Sequence, residues 1–254
     1  MSENASHWRL LAVLLASTLL SGTSLALEPS GNAVRVNPNV DASGVSGARV
    51  LEVEGAVFMG DEIVASPNGL AQIRFIDDTR IVIGPNSRLS IDTFVFNPDH
   101  TARQVTINAI KGAFRFISGN SPHEAYTIRT ATIAVGVRGT VIDLNARAAD
   151  STALFVEGSG TVCDNVGTCV DATDDCTLHV VSAAGGGVRT PSNLEARQRL
   201  AALFPFIADQ SALAPAFRAD IGSCGTVDNR FFGPPEEPYS RKHESGQDRP
   251  DPSY

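Results

Sequence analysis

From Arg49 onward the chain alternates apolar and polar residues with a period of two. Leu51 and Val53 oppose Val50, Glu52 and Glu54, and Ala71, Ile73 and Phe75 alternate with Gln72 and Arg74. This period places one face of each run in a core and the other in water, the signature of a half-buried strand. The runs are short and each is closed by turn chemistry. The punctuation falls at Gly60-Asp61, Pro67-Asn68-Gly69, Asp77-Asp78-Thr79, Gly84-Pro85-Asn86-Ser87, Asn97-Pro98-Asp99-His100 and Ser118 to Pro122. Between these turns lie Ile63-Val64, Ile81 to Ile83, Leu89 with Ile91, Phe94 and Phe96, then Val105, Ile107 and Ile110. Ala113 to Ile117, Tyr126 with Ile128, Val141 to Leu144 and Ala153 to Val156 complete the ladder, with Thr161-Val162 after Gly158-Ser159-Gly160. Strands broken by turns every ten residues or so predict an all-β fold: a sandwich, a barrel or a stack of twisted short strands resembling a solenoid. No strict period marks a regular repeat.

One run departs from simple alternation. Thr132 to Thr140 is an apolar strand interrupted by Gly136 and Gly139, with Arg138 between them. Glycine within a strand marks a bulge, a bend or a close approach of another backbone. A guanidinium in such a bend is a positioned charge, which singles out Arg138 as the candidate binding residue. The plainer role is structural, with the guanidinium donating to carbonyls that the bend exposes.

The flanks read differently. Leu10 to Leu20 is an uncharged apolar run after Arg9, followed by small residues at Ser24-Leu25-Ala26. This predicts an export signal over residues 1–26, cleaved after Ala26. The run is shorter than the roughly 20 residues that cross a bilayer, although a retained anchor is the alternative. No later segment is apolar enough to span a membrane. Residues 27–48, rich in Pro, Asn, Ser and Gly, predict a linker ahead of a β domain at 49–162. Residues 163–231 predict a cysteine-containing extension. It comprises a hairpin around Gly185-Gly186-Gly187, a helix capped by Ser192 and Glu195 and stopped by Pro205, and a second short helix between Ala212 and Ile221. The Pro-rich, charged stretch 232–254 predicts a disordered tail.

The four cysteines, Cys163, Cys169, Cys176 and Cys224, all follow the ladder. An even number in an exported chain favours two disulfides, with three pairings open. No pair has the tight spacing of a zinc knuckle. A surplus of 28 acidic over 20 basic residues gives a formal charge of −8, which argues against a nucleic-acid partner.

Several short motifs in the ladder occur together in one order: Glu54-Gly55-Ala56-Val57, Gly60-Asp61-Glu62-Ile63, Gly69-Leu70-Ala71, and Phe75-Ile76-Asp77-Asp78-Thr79. Ile81 to Ser87, Lys111-Gly112-Ala113-Phe114-Arg115, Thr130-Ala131-Thr132, Gly136 to Thr140 and Val156 to Gly160 follow. In this order they resemble the FecR domain, the periplasmic sensory module of ferric-citrate-type signalling systems in bacteria. The resemblance implies an all-β fold of twisted, stacked short strands and a role in signalling. Members that regulate sigma factors carry a cytoplasmic helical segment before a membrane helix. The few residues ahead of Leu10 are too short for one, so the expectation is a free-standing exported module.

The remaining chemistry is sparse. Asp171, Asp174 and Asp175 lie between two cysteines, without the spacing of a calcium loop. Ser159 lacks the nucleophile-elbow pattern, the histidines are scattered, and no carboxylate dyad stands out. The expected function is therefore a non-catalytic recognition module of the periplasm or the secreted fraction. Its partner would be an envelope protein, and it would hold no metal or cofactor. A structural or glycan-associated envelope protein is the alternative, disfavoured because Trp8, the sole tryptophan, falls in the export signal. A hydrolase with an unfamiliar site is a third.

Overall fold

The structure is a computed structural model that describes residues 27–173, 175–190, 203–221 and 224. The strands are β1 (Gly31–Asn37), β2 (Val40–Gly44), β3 (Gly47–Val50), β4 (Ala56–Val57), β5 (Glu62–Ala65), β6 (Leu70–Phe75), β7 (Arg80–Ile83) and β8 (Arg88–Phe96). They continue with β9 (Ala102–Ile117), β10 (Tyr126–Arg129), β11 (Ile133–Ala146), β12 (Asp150–Asp164), β13 (Cys169–Ala172), β14 (Thr177–Ser182) and β15 (Val188–Arg189). The all-β expectation holds. The strands form one hydrogen-bonded sheet folded over on itself.

Three long strands make the fold. The first half of β9 pairs with β8 and, in parallel, with β10, whereas its second half pairs with β7 and β11. In the same way β11 and β12 each begin in one layer and end in the other. The first layer therefore runs β3-β2-β5-β8-β9-β10-β11-β12-β13. The second runs β4-β1-β6-β7-β9-β11-β12-β14-β15. Strands that switch sheets need a bulge or bend at the corner. In β11 and β12 the register slips between Arg138 and Val141, so that Gly139 and Thr140 face Gly158. Gly158 has φ +80°, and a Cβ there would lie 2.3 Å from the Gly139 carbonyl oxygen.

The layers enclose one apolar core. Phe75 of β6 stacks on Phe94 of β8 with ring centroids 4.4 Å apart, and Phe116 of β9 meets Tyr126 of β10 edge-on at 5.7 Å. Each pair spans the two layers and ties them through large buried rings. The second layer is buried on its outer face too. There Ile117, Leu154, Val156, Leu178 and Val180 pack under Leu203, Phe204 and Ile207, and Leu70 and Val82 pack under Phe206, Leu213 and Phe217. A strap formed by residues 203–221 thus covers that face. It starts at Leu203, which is helical, and after Phe204 contains a single turn of helix, α1 (Pro205–Ala208), and one 3-10 turn at Pro215–Phe217.

Some expectations need correction, and others fall outside the described residues. Residues 27–48 are not a linker: β1, β2 and the first half of β3 fall there, and β1 is paired on both sides by β4 and β6. Its apolar residues are small and diluted by Asn and Gly, so the pairing of its backbone, not its hydrophobicity, makes it a strand. The predicted helix between Ala212 and Ile221 is one 3-10 turn, because Pro215 occupies its first position and the chain leaves it extended at Arg218. As expected, helix is interrupted ahead of Pro205: Leu203 is helical and Phe204 is not, and Pro205 then opens a new turn, α1. The export signal at 1–26, most of the helix beginning at Ser192 and the tail at 232–254 lie outside the described residues.

Two disulfides close the C-terminal part. Cys163 and Cys169 face each other across β12 and β13, and Cys176 joins Cys224 over 48 positions. The three pairings open in the sequence are thereby reduced to one. On loop length alone the second bond is worth about 4 kcal/mol and the first about 2.

Candidate functional site

The outer face of the first layer carries a polar row across four strands: Thr106, Thr127, Gly136 and Thr161 stand in register, with Asp171 beyond Thr161. Gly136 leaves a gap in this row, since no atom lies within 4 Å of where its Cβ would be. The gap opens a cleft of about 220 Å³ lined by His123, Glu124, Tyr126, Thr127, Arg138 and Thr161. Val135 and Val137 point into the core, and Arg138 points outward and is exposed. Its backbone N–H donates to the Thr140 hydroxyl at 2.9 Å, and Thr140 in turn donates to the Ser159 carbonyl at 2.7 Å. Among the described residues the Arg138 guanidinium makes no hydrogen bond or ion pair. A rigid corner therefore holds a free cation beside a notch, an arrangement suited to accepting a carboxylate.

Other motif residues build the frame. Asp77, read as part of a turn, is buried and serves as a hub. Its carboxylate accepts from the hydroxyls of Thr79, Ser121 and Tyr126 at 2.9, 2.7 and 2.9 Å. Burial raises the Tyr126 phenol above its usual range, so it remains a donor. Asp61 is likewise fully buried, pairing with Arg49 and accepting from the Phe58 N–H at 2.9 Å. These polar groups are buried because each is fully engaged.

Arg115 lies on the outer face of the second layer and is fully buried. It grips Asp143, its cross-strand neighbour, through two bonds of 2.6 and 2.9 Å. Its remaining donors reach the Gln210 side chain and the Phe206 carbonyl of the strap. Burial pushes the Asp143 carboxyl up, against the downward pull of Arg115. Sequence reasoning placed Arg115 in a motif without assigning it a role. The detectable signal was an arginine and an aspartate at strand centres, Arg115 between Phe114 and Phe116 and Asp143 between Ile142 and Leu144.

His179 is 2 % exposed, edge-on to Phe155 at 5.8 Å, and its Nε2 has no partner among the described residues. Burial depresses its pKa below the usual value. The folded chain therefore resists protonation at His179 more than the unfolded chain, which takes up a proton as pH falls through about 6.5. Below that pH the unfolded state binds more protons, so stability falls on acidification. Thermal melts between pH 7 and 5 should show this decline, and His179→Leu should flatten it. An unchanged slope in the variant would rule out His179 as its source. Among the described residues no cluster of three His, Cys, Asp or Glu side chains could hold a metal ion. Asp174 lies outside them.

Residues 61–161 match the family model described as FecR protein. The chain carries a FecR domain. The matched stretch opens on the buried Asp61 and closes on Thr161 of the notch. No curated protein matches the chain. Among solved structures, two crystal structures of a proposed anti-sigma factor from Parabacteroides distasonis ATCC 8503 are similar. They are 16 % and 15 % identical, with TM-scores of 0.42 and 0.40, each over 52 % of this chain. The match spans 59 % of the length of that protein. Within the FecR domain the motifs named from the sequence occupy turns and corners: Asp77 at the hub, Gly112 at the bend of β9, and Gly139 opposite Gly158. Among the described residues no helix is long and apolar enough to cross a membrane.

Proposed function

We propose that this chain is an exported, non-catalytic recognition module of the bacterial envelope, and that its FecR domain offers the Arg138 notch to a protein partner. The FecR match carries the signalling role. Two disulfides favour an oxidising compartment, the periplasm or the secreted fraction. The exposed guanidinium beside an empty position in a polar row favours a partner that presents a carboxylate. No cofactor enters this reading.

A photo-crosslinking residue at Thr161, on the notch wall, tests it in the intact cell. Capture of one envelope protein is the expected result. Arg138→Ala should reduce capture roughly ten-fold, the value of a charge-assisted bond. Its melting temperature should stay unchanged, because the side chain is exposed. Equal capture by the variant would remove Arg138 from the binding site.

A further inference from the structure

The strap is held in an unusual way. Asn145 donates to the Leu203 carbonyl at 2.9 Å, Arg115 to that of Phe206 at 3.2 Å, and Arg80 to that of Ala216 at 2.9 Å. Arg35 and Gln72 both donate to the Ala212 carbonyl, at 2.8 and 3.1 Å. Gln72 also accepts from the Ala214 N–H at 2.7 Å, so its amide pairs with the strap as a neighbouring strand would. Glu157 accepts from the Asp220 N–H at 2.8 Å. Apart from Gln210, every strap group in these bonds belongs to the main chain. The strap's side chains contribute apolar anchors: Phe204 and Ile207 sit in one cluster, and Phe206, Leu213 and Phe217 in another. From Leu203 to Phe217 the strap has one ionisable side chain, Asp209.

This is how a peptide-binding surface works: main-chain bonds supply affinity in any sequence, and pockets select the side chains. Of the groove's polar residues, Gln72, Arg80, Arg115, Asn145 and Glu157 fall inside the FecR match and Arg35 before it, whereas the whole strap lies beyond its end at residue 161. The groove thus belongs to the domain and the occupant to this chain's own C-terminal part. The strap's far end is fastened by Cys176–Cys224, the latter buried among the apolar anchors.

We infer that the outer face of the second layer is a peptide groove which the strap fills in cis, and that opening Cys176–Cys224 exposes it to an extended, nearly uncharged peptide segment of another protein with apolar anchors like the strap's. A dithiol reductant opens the fastening. It gives two electrons and two protons to the Cys176–Cys224 bond, leaving two thiols and becoming a disulfide itself. The tethered strap has an effective concentration in the millimolar range, so a competing peptide gains entry once the tether is weakened. This surface lies on the opposite layer from Arg138, and the inference goes beyond the notch reading.

The test uses the full-length chain with a specific protease site inserted between Thr190 and Leu203. Cutting leaves the strap attached through Cys176–Cys224. The probe is a fluorescent synthetic peptide of residues 203–221, followed by anisotropy. No binding is expected before reduction and saturable binding after it, with far-UV circular dichroism still that of a β protein. Gln72→Leu should weaken binding at least ten-fold, and a peptide with alanine at the Phe206 and Phe217 positions should fail to bind. Arg138→Ala should leave peptide binding unchanged, so failure here is separable from failure at the notch. Loss of β structure when the cut chain is reduced would overturn the inference, since the strap would then be part of the folding core. So would a folded, reduced, cut chain that does not bind the peptide, or equal binding before reduction.

Discussion

Arg115→Ala is expected to lower the unfolding free energy by about 3–5 kcal/mol, the cost of leaving a buried charge unpaired. The Arg115 and Asp143 side chains are 0 % and 1 % exposed, so the carboxylate left behind is cut off from bulk solvent. The strap also loses the donor to its Phe206 carbonyl and, among the described residues, one of the three partner groups of the Gln210 side chain. The loss should depend on pH with a definite sign. Burial already raises the Asp143 carboxyl, and removing Arg115 raises it further. The folded variant then binds more protons than its unfolded state at neutral pH, so its deficit should shrink as pH is lowered toward 5. The double variant Arg115→Met with Asp143→Leu should recover most of the loss, because an apolar pair of similar volume suits the site. Urea unfolding at pH 7 and 5 checks all three. A single variant within about 1 kcal/mol of the parent would mean that the buried pair does not hold the second layer and the strap together.

Gly158→Ala is expected to be severely destabilising, at about 3 kcal/mol or more. Two costs combine. The backbone at φ +80° resists any side chain, and the new Cβ would lie 2.3 Å from the Gly139 oxygen and 3.0 Å from the Thr140 Cα. Both obstacles are backbone, which cannot rotate away, and they sit at the corner where β11 and β12 cross between layers. Gly136→Ala is the matched control. Its Cβ meets nothing within 4 Å, so its stability should change by less than about 0.5 kcal/mol while the notch is partly filled. Thermal melts of the two variants should therefore diverge widely. Similar melting temperatures would mean that the corner is not the strained point.

That pair of glycines shows where the sequence could be read and where it could not. A bend near Gly136-Val137-Arg138-Gly139 is visible in the chain, because glycine has no side chain to pack in an apolar strand and is kept there where the backbone must turn or approach another. The bend itself falls at Gly139 and Thr140 against Gly158. Gly136 is instead a notch on the surface, a role that depends on which residues stand beside it on β10 and β12. Arg138 is exposed, as a residue outward of Val135 and Val137 must be. Its neighbours His123 and Glu124 come from a turn that the alternation does not align with it. Arg115 and Asp143 were legible as charges inside apolar runs, but their partnership is a register between β9 and β11. β1 was hidden for the opposite reason: its side chains carry little pattern, and its place depends on strands that come later in the chain.

The amino-acid sequence alone did not join several of its short runs into the three long strands β9, β11 and β12. It did determine that the protein is all-β, where most of its turns lie, that it resembles the FecR domain, and that its cysteines come late and in an even number. Those properties are local, written in periods of two and in the steric demands of Gly, Pro and Asn. Only the tertiary structure decided which strands change layers, which cysteines join, that β1 completes the second layer, and that the strap lies over a buried ion pair. These are facts of register and of contact between distant segments, and a one-residue slip of register would turn each such side chain to the other face.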